Sequence, residues 1–139
     1  DATHKENIAA ILQSFGKQQV DAILLDAPCS GFGTLRRRPE LRARDAANVD
    51  DLCTLQSHLL DSVSTFLRPG GKMVYSTCTP MWVEGPGQVE KFLKRHTDFY
   101  LDTHVPSHLV RYMDERGYFR TWTHRDGTDT FFAACLRRR

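Results

Sequence analysis

The chain has 139 residues, of which 40% are hydrophobic and 26% are charged, and its formal net charge is only +2. This composition is that of a single globular domain and excludes a disordered tail or a low-complexity protein. No apolar run is long enough to span a bilayer, so we expect no membrane partner.

Hydrophobic periodicity predicts the first elements of the chain. Residues 4–15 place apolar side chains on one helical face, and Gly16 is a plausible stop. Residues 20–26 form a short apolar run that favours a strand buried on both faces, as in a parallel sheet. A long helix is then predicted from about residue 45 to residue 67, ended by the Pro-Gly-Gly at 69–71.

The second half of the chain continues the alternation of strands and helices. Residues 72–77 predict another buried strand, residues 88–96 a short helix and residues 99–105 a third strand. A mostly irregular stretch follows at 106–127, and residues 130–136 predict the last strand. This order favours an α/β fold with a mostly parallel sheet, whose last strand is antiparallel.

Two cysteines follow directly on two of the predicted buried strands. Cys29 comes three residues after Asp26, which ends the first run, and Cys78 comes just after the second. Ligands of open α/β sheets bind at the carboxyl ends of the strands, so we expect both thiols to reach one crevice. A single cysteine at a strand end is more often structural, but two of them beside a carboxylate favour catalysis.

Two thiols and a carboxylate suit methylation of carbon 5 of cytosine. This carbon is a poor nucleophile until a thiolate adds to C6 and breaks the aromaticity of the ring. A carboxyl group hydrogen-bonded at N3 draws off the developing charge. After methyl transfer a base must remove the C5 proton so that the thiol is eliminated, and the target base must be unpaired or flipped out.

The motifs that carry these residues resemble those of the RNA cytosine-5 methyltransferases of the Sun/Nop2/NSUN group, which includes bacterial 16S rRNA enzymes. Residues 26–33 (DAPCSGFG) resemble the family's DAPCSGxG motif, and residues 75–79 (YSTCT) resemble its STC motif. Residues 127–132 (GTDTFF) resemble its closing GTDGFF strand. The Glu84-Gly85 pair departs from the usual acid-Asn pair, in a segment that helps to order the active site.

The resemblance implies a role for each matching residue. Cys78 would attack C6, and Cys29 would help to release the methylated product. Asp26 would contact both the cytosine and the methyl-donor region, and Pro28 would hold the backbone against the base. Asp1 would lie near the adenine of the cofactor, S-adenosylmethionine.

The resemblance also suggests what binds the chain. The arginine cluster that includes Arg36, Arg37 and Arg38 is expected to meet RNA phosphates, which gives affinity rather than sequence choice. Ribosomal RNA is the favoured substrate. None of the four cysteines forms a CxxC pair, so we expect no metal and free thiols in the reducing cytoplasm.

The family's glycine-rich cofactor loop and first strands are not found in residues 1–139, which therefore correspond to a partial catalytic domain. The fold expected is the C-terminal half of a Rossmann-like S-adenosylmethionine-dependent methyltransferase sheet. We expect this chain alone to be inactive. We also expect self-association through an exposed sheet edge at residues 20–26.

Three other interpretations remain open from the sequence. An amine methyltransferase would carry an (Asp/Asn)-Pro-Pro-(Tyr/Phe) motif, from which Ala27-Pro28-Cys29 departs. A cysteine hydrolase would need an activating histidine, for which the sequence shows no signature. A non-catalytic RNA-binding or structural fragment of the same fold is the third alternative, since the cofactor loop is absent.

Overall fold

The computed structural model describes residues 2–43 and 48–139. The helices are α1 (Lys5–Ser14), α2 (Asn48–Ser64), α3 (Pro86–Arg95) and α4 (Thr123–Asp126). The strands are β1 (Val20–Asp26), β2 (Leu67–Thr77), β3 (Phe99–Leu101), β4 (Phe119–Arg120) and β5 (Phe132–Arg138). Short 3₁₀ turns lie at Phe32–Thr34, Pro39–Ala43, Trp82–Glu84 and Ser107–Tyr112. None of the helices in these two ranges has the length and apolarity needed to cross a membrane.

The five strands form one sheet in the order β1-β2-β5-β3, with β4 also paired to β5. β1 and β2 are parallel, whereas β5 is antiparallel to β2, β3 and β4. Four strands therefore run in one direction and β5 runs in the other. This confirms the predicted α/β fold with an antiparallel last strand.

The core lies between one face of the sheet and helices α2 and α3. Alternate residues of β2, including Met73 and Tyr75, are completely buried on this face. They pack in one cluster with Leu60 of α2, Phe92 of α3 and Leu136 of β5. Each such side chain contributes about 1.5–3 kcal/mol by its burial, so this face anchors β2 within the sheet.

β2 begins earlier than the sequence predicts. Helix α2 ends at Ser64, and Leu67 already pairs with Val20 of β1. The register then jumps, because Ala22 pairs with Lys72 and the Pro-Gly-Gly segment bulges out between the two pairs. Gly70, with a φ of +78°, supplies the left-handed conformation that this bulge needs. The segment therefore forms a bulge in the strand and does not terminate the helix.

β1 is the terminal strand of the sheet in the described chain, and only one of its faces is covered. Leu25 is buried against the core, whereas Leu24 on the opposite face is 74% exposed. Ile11 and Phe15 of the first helical segment are also exposed. The prediction that β1 is buried on both faces is therefore wrong for this chain, because no helix in the described residues packs over its second face.

Candidate active site

The parallel register of β1 and β2 brings the two cysteine segments together. Asp26 pairs with Ser76, so the loops that follow both strands leave the sheet side by side. The Sγ atoms of Cys29 and Cys78 are 3.2 Å apart, which is hydrogen-bonding distance for a thiol pair. The structure thus places both predicted thiols at one point, at the carboxyl end of the parallel strands.

A cavity of about 550 Å³ opens over the two sulfur atoms. Asp26, Pro28, Cys29 and Cys78 all line it, together with Phe131. One carboxylate oxygen of Asp26 accepts a hydrogen bond from the Ser76 hydroxyl at 2.9 Å, which fixes the carboxylate beside the thiols. Four of the predicted site residues therefore share one cavity of a size that suits a small ligand.

Gly33 connects the first cysteine loop to the second. Its N–H donates to the carbonyl of Cys78, and its own carbonyl accepts from the N–H of Thr130, both at 2.9 Å. A Cβ at this position would lie 2.1 Å from the Thr130 carbonyl oxygen and 2.7 Å from that of Cys78. Only glycine therefore permits the close approach that joins the two cysteine segments to the chain before β5.

A buried carboxyl group holds the first cysteine loop in place by hydrogen bonds. The side chain of Glu84 is fully buried and accepts hydrogen bonds from the Ser30 N–H at 2.8 Å and the Ser30 hydroxyl at 2.6 Å. It also accepts from the Gln56 side-chain amide at 3.1 Å, and the same amide donates to the Pro28 carbonyl at 2.9 Å. Glu84 and Gln56 thus hold Pro28, Cys29 and Ser30 in place without touching the cavity.

The thiol pair is electrostatically asymmetric. The hydrogen bond from Cys29 lowers the pKa of Cys78 from its ordinary 9.0 to about 7, against the effect of burial. A backbone hydrogen bond and the positive charge of Arg37 act in the same direction, whereas the carboxylate of Asp26 opposes them. The pKa of Cys29 is strongly raised, because its thiol hydrogen-bonds to Cys78 and is buried. Cys78 is therefore the sulfur that ionises first, as a nucleophile requires.

The three predicted RNA-binding arginines lie beside the cavity and have partners within the chain. Arg37 and Arg38 line it, whereas Arg36 does not. Arg37 pairs with Asp129 at 2.5 Å and Arg38 with Glu40 at 3.1 Å, while Arg36 donates to the Gly127 carbonyl. Their contact with RNA stays a prediction. Asp1, expected near the cofactor adenine, lies outside the described residues.

The remaining cysteines lie elsewhere. Cys53 belongs to α2 and Cys135 to β5, and both are half-buried free thiols. Burial raises the pKa of both thiols, so they are poor nucleophiles beside Cys78. Within residues 2–43 and 48–139, no three metal-ligating side chains come together.

Comparison with known proteins identifies the family of this site. The family model for the 16S rRNA methyltransferase RsmB/F domain matches residues 3–137, nearly the whole chain. The chain belongs to the RsmB/F methyltransferase family. The cavity lined by its two cysteine loops and by Asp26 thus lies in a domain of this family.

Relatives in this family cover the chain but are much longer. A putative methyltransferase of Mycobacterium tuberculosis is 44% identical over 120 residues, which are 85% of this chain and 26% of that protein. The probable ribosomal RNA small subunit methyltransferase B of Bacillus subtilis is 34% identical over 131 residues, 91% of this chain and 29% of the relative. The chain thus spans little more than a quarter of the length of these relatives.

Solved structures share the fold of this chain. NSun6 from Pyrococcus horikoshii, solved with SFG, an analogue of S-adenosylmethionine, has a TM-score of 0.76 at 29% identity. The match covers 99% of this chain and 33% of that structure. A methyltransferase homologue from the same organism has a TM-score of 0.70 at 26% identity, covering 94% of this chain and 43% of the other. The Rossmann-like methyltransferase fold predicted from the sequence is therefore confirmed.

Sequence reasoning missed the groups that hold this RsmB/F site together. Gln56 sits on a helix, and the sequence marks it only as part of a helical motif. Glu84 was noted for its unusual neighbour Gly85, not for a role of its own. The sequence gives no local signal for these two residues. The burial of Glu84 and Gln56 results from contacts with the first cysteine loop, which lies 28 to 54 residues away in the chain.

Proposed function

We propose that the protein containing this chain methylates carbon 5 of cytosine in RNA, with S-adenosylmethionine as the methyl donor. One observation carries the proposal, namely two thiols 3.2 Å apart that share a cavity with a carboxylate. An amine methyltransferase needs no thiol, whereas activation of C5 needs a nucleophile at C6. The names of the relatives favour ribosomal RNA of the small subunit as the substrate.

The asymmetry of the thiol pair favours Cys78 for the first step. The Cys78 sulfur, ionised at a pH near 7, adds to C6 of the flipped cytosine and forms a carbon–sulfur bond. The pair of electrons displaced from the C5–C6 double bond moves toward N3, which takes up the proton of the Asp26 carboxyl group and leaves Asp26 as a carboxylate. C5 becomes enamine-like and therefore nucleophilic.

S-adenosylmethionine supplies an electrophilic methyl group on a positively charged sulfur. The chain's residues fit that end of the donor, because Asp26 places a carboxylate in the cavity and Pro28 shapes its wall beside it. Both residues would hold the methyl-bearing end against C5. Residues outside this chain would hold the rest, because the family's glycine-rich cofactor loop is not found in this sequence.

Product release reverses the addition. A base takes the proton from C5, the carbon–sulfur bond to Cys78 breaks, and the double bond between C5 and C6 re-forms. Cys29, the sulfur with the raised pKa, keeps its proton and donates a hydrogen bond to the departing Cys78 thiolate, which stabilises the leaving group. Cys29 therefore assists elimination and forms no bond to the base.

The experiment uses the full-length protein and RNA with 5-fluorocytosine at the target position. Fluorine blocks loss of the C5 substituent, so a covalent protein–RNA complex should accumulate and survive denaturing gel electrophoresis. Cys78→Ala should abolish the complex, whereas Cys29→Ala should retain it. Cys53→Ala, which removes a half-buried thiol outside the cavity, is the matched control and should behave as the wild type.

Loss of the complex in Cys29→Ala with retention in Cys78→Ala would reverse the two roles. A wild-type protein that binds RNA and forms no complex would support the non-catalytic alternative.

We further propose that Arg36, Arg37 and Arg38 bind RNA phosphates at the rim of the cavity. Their internal partners do not prevent this, because ion pairs between exposed side chains are weak and screened by salt. Replacing Arg38 by Ala should lower RNA affinity and reduce its dependence on salt concentration by about one phosphate contact. Unchanged salt dependence would contradict this role.

The uncovered side of β1 supports self-association of the isolated chain. An apolar strand with a free edge pairs readily with another chain. Analytical ultracentrifugation should detect dimers or larger species, and Leu24→Lys should shift the population toward monomer. A wild-type monomer at high concentration would contradict the proposal.

We place the reaction in the cytoplasm, where a reducing environment keeps the four free thiols available.

A further inference from the structure

A second cavity, of about 430 Å³, lies outside the thiol site. Its walls are formed by two tryptophans, two acidic residues and two arginines: Trp82, Trp122, Asp114, Glu115, Arg116 and Arg120. None of these residues lines the cavity over the two cysteines. The chain contains two tryptophans, and both lie here.

One wall of the second cavity is the flat ring of Trp82, which the Arg116 side chain covers. Trp82 is 44% exposed, and the guanidinium of Arg116 lies over its ring at 4.7 Å from the centroid. The Arg116 side chain is more than half exposed, and its pairing with Glu90 is long, at 3.5 Å. A planar group stacked on the indole is therefore already part of the structure, and another planar group could take its place.

The other wall is fixed. The Arg120 side chain is only 12% exposed, pairs with Asp114 at 3.4 Å and lies over the rings of Trp122 and Phe132. Because the Arg120 side chain is buried as well as paired, its guanidinium is held more firmly than that of the exposed Arg116. The cavity therefore has one exposed and one buried guanidinium, each over a tryptophan.

The second cavity lies at the same end of the sheet as the thiol cavity. Trp82 follows Cys78 by four residues in the chain. Phe132, under Arg120, pairs with Thr77 at the end of β2, and its neighbour Phe131 lines the thiol cavity. An RNA strand that places its target base over Cys78 would thus have a neighbouring nucleotide near Trp82.

The chemistry of the walls selects a base over a phosphate. Indole rings offer stacking surfaces, which every nucleobase can use. The charges of Asp114 and Glu115 offset those of Arg116 and Arg120, so the walls carry no net positive charge to favour a phosphate. The Glu115 carboxylate can accept hydrogen bonds from amino and imino groups of a base. We propose that this cavity binds an unpaired nucleobase that flanks the target cytosine. The inference rests on the proposed function, because it takes single-stranded RNA as the ligand.

The two tryptophans make a direct measurement possible. The full-length protein is titrated with a single-stranded hexaribonucleotide while its tryptophan fluorescence is recorded. Stacking of a base should quench the emission. Trp82→Phe and Trp122→Phe each remove the emission of one wall, so each variant should show less quenching than the wild type. An oligomer of the same length with abasic residues carries the same phosphates and should not quench.

Affinity measured with a labelled oligomer provides the second test. Trp82→Ala should weaken binding by roughly tenfold, because loss of one stacking platform typically costs 1–3 kcal/mol. Tyr100→Ala is the matched control, since Tyr100 is also an exposed aromatic under an arginine but lies on β3, away from both cavities. Its affinity should equal that of the wild type. Trp82→Phe guards against misfolding and should lose less affinity than Trp82→Ala.

Equal quenching by the abasic oligomer, or unchanged affinity in Trp82→Ala, would overturn the inference. The proposed function is tested separately, by the covalent complex with fluorocytosine RNA. Failure of the nucleobase site would therefore leave the proposed function standing. In the full-length protein, Trp82→Ala should still form that complex at saturating RNA but should need more RNA to do so. A complex that forms in Trp82→Ala at wild-type RNA concentrations would also count against the nucleobase site.

Discussion

At the scale of single residues, the ionisation of the thiol pair depends on distances across the site. Each cysteine follows a recognisable apolar strand, and parallel neighbours end at the same edge. The pKa of Cys78 depends on an Sγ–Sγ distance and on Arg37, which approaches from a loop. Such distances are set by tertiary packing, so no spacing rule could have supplied them.

The lowered pKa of Cys78 predicts the pH dependence of its alkylation. Only the thiolate reacts with iodoacetamide, so the labelling rate of Cys78 should rise through a midpoint near pH 7 and then level off. Cys29→Ala removes the hydrogen bond that lowers this pKa, and the midpoint should move up toward the ordinary 9.0. Mass spectrometry of labelled peptides measures the rate. A midpoint that does not move would show that Cys29 leaves the ionisation of Cys78 unchanged.

The buried side chain of Glu84 predicts a contrast between two substitutions. Glu84→Ala removes the carboxyl group that accepts from the Ser30 N–H, the Ser30 hydroxyl and the Gln56 amide, at a cost of about 3–5 kcal/mol in unfolding free energy. Glu84→Gln keeps an acceptor oxygen for both N–H groups. Its amide can donate to the Ser30 hydroxyl, which then donates to Thr79, so the cost should stay within about 1 kcal/mol.

Urea denaturation of both variants measures this difference. Glu84→Ala should also shift the Cys78 alkylation midpoint upward, because the loop that carries Cys29 loses its anchor. Equal stability of the alanine and glutamine variants would argue against the hydrogen-bonding role of the carboxyl group.

At the scale of elements, the periodicity predicted where strands and helices occur better than where they begin and end. The last strand was expected at 130–136 but runs over Phe132–Arg138, because the Thr130 N–H is used by the Gly33 carbonyl and cannot join the ladder. The third strand was expected to reach residue 105 but ends at Leu101. Both differences arise from loop contacts between distant segments, which local propensity does not encode.

The Gly33 contact predicts a strong effect of one added methyl group. Gly33→Ala would push its Cβ into the carbonyls of Thr130 and Cys78, so the two cysteine loops must separate. We expect a loss of about 3 kcal/mol or more in stability, and a Cys78 alkylation midpoint raised toward 9. Thermal unfolding and alkylation measure the two effects.

Gly16→Ala is the matched control for this substitution. Gly16 lies just after α1 with a left-handed φ of +67°, and nothing lies within 4 Å of its Cβ position. It should cost about 1–2 kcal/mol through backbone strain alone and leave the reactivity of Cys78 unchanged. A similar change in reactivity in both variants would mean that general destabilisation, not loop separation, controls the thiol pair.

At the scale of the whole molecule, the sheet is unequally covered. β2 lies between two strands and buries one face in the core, whereas β1 has one neighbour and one bare face in the described chain. The sequence predicted a central strand at this position because its composition is apolar throughout. The relatives are three to four times longer than the matched part. We expect the longer protein to supply a second neighbouring strand for β1.

The short distance between the two sulfur atoms has a consequence for the molecule under oxidation. With hydrogen peroxide, the Cys78 thiolate attacks one oxygen and releases hydroxide, which leaves a sulfenic acid. The Cys29 sulfur then displaces water and forms a disulfide, for which the sulfurs need to move from 3.2 Å to about 2.05 Å. The cross-link joins residues 49 positions apart, so it should stabilise the fold by about 4 kcal/mol.

The oxidised protein should therefore melt at a higher temperature, weigh two hydrogens less and form no covalent complex with fluorocytosine RNA until a dithiol reduces it. Cys29→Ser should show neither the mass change nor the gain in melting temperature. A melting temperature that falls on oxidation would mean that the bond distorts the loops. The sulfur that bonds to the pyrimidine and its neighbour would then form a reversible cross-link, which inactivates the enzyme while it stabilises the structure.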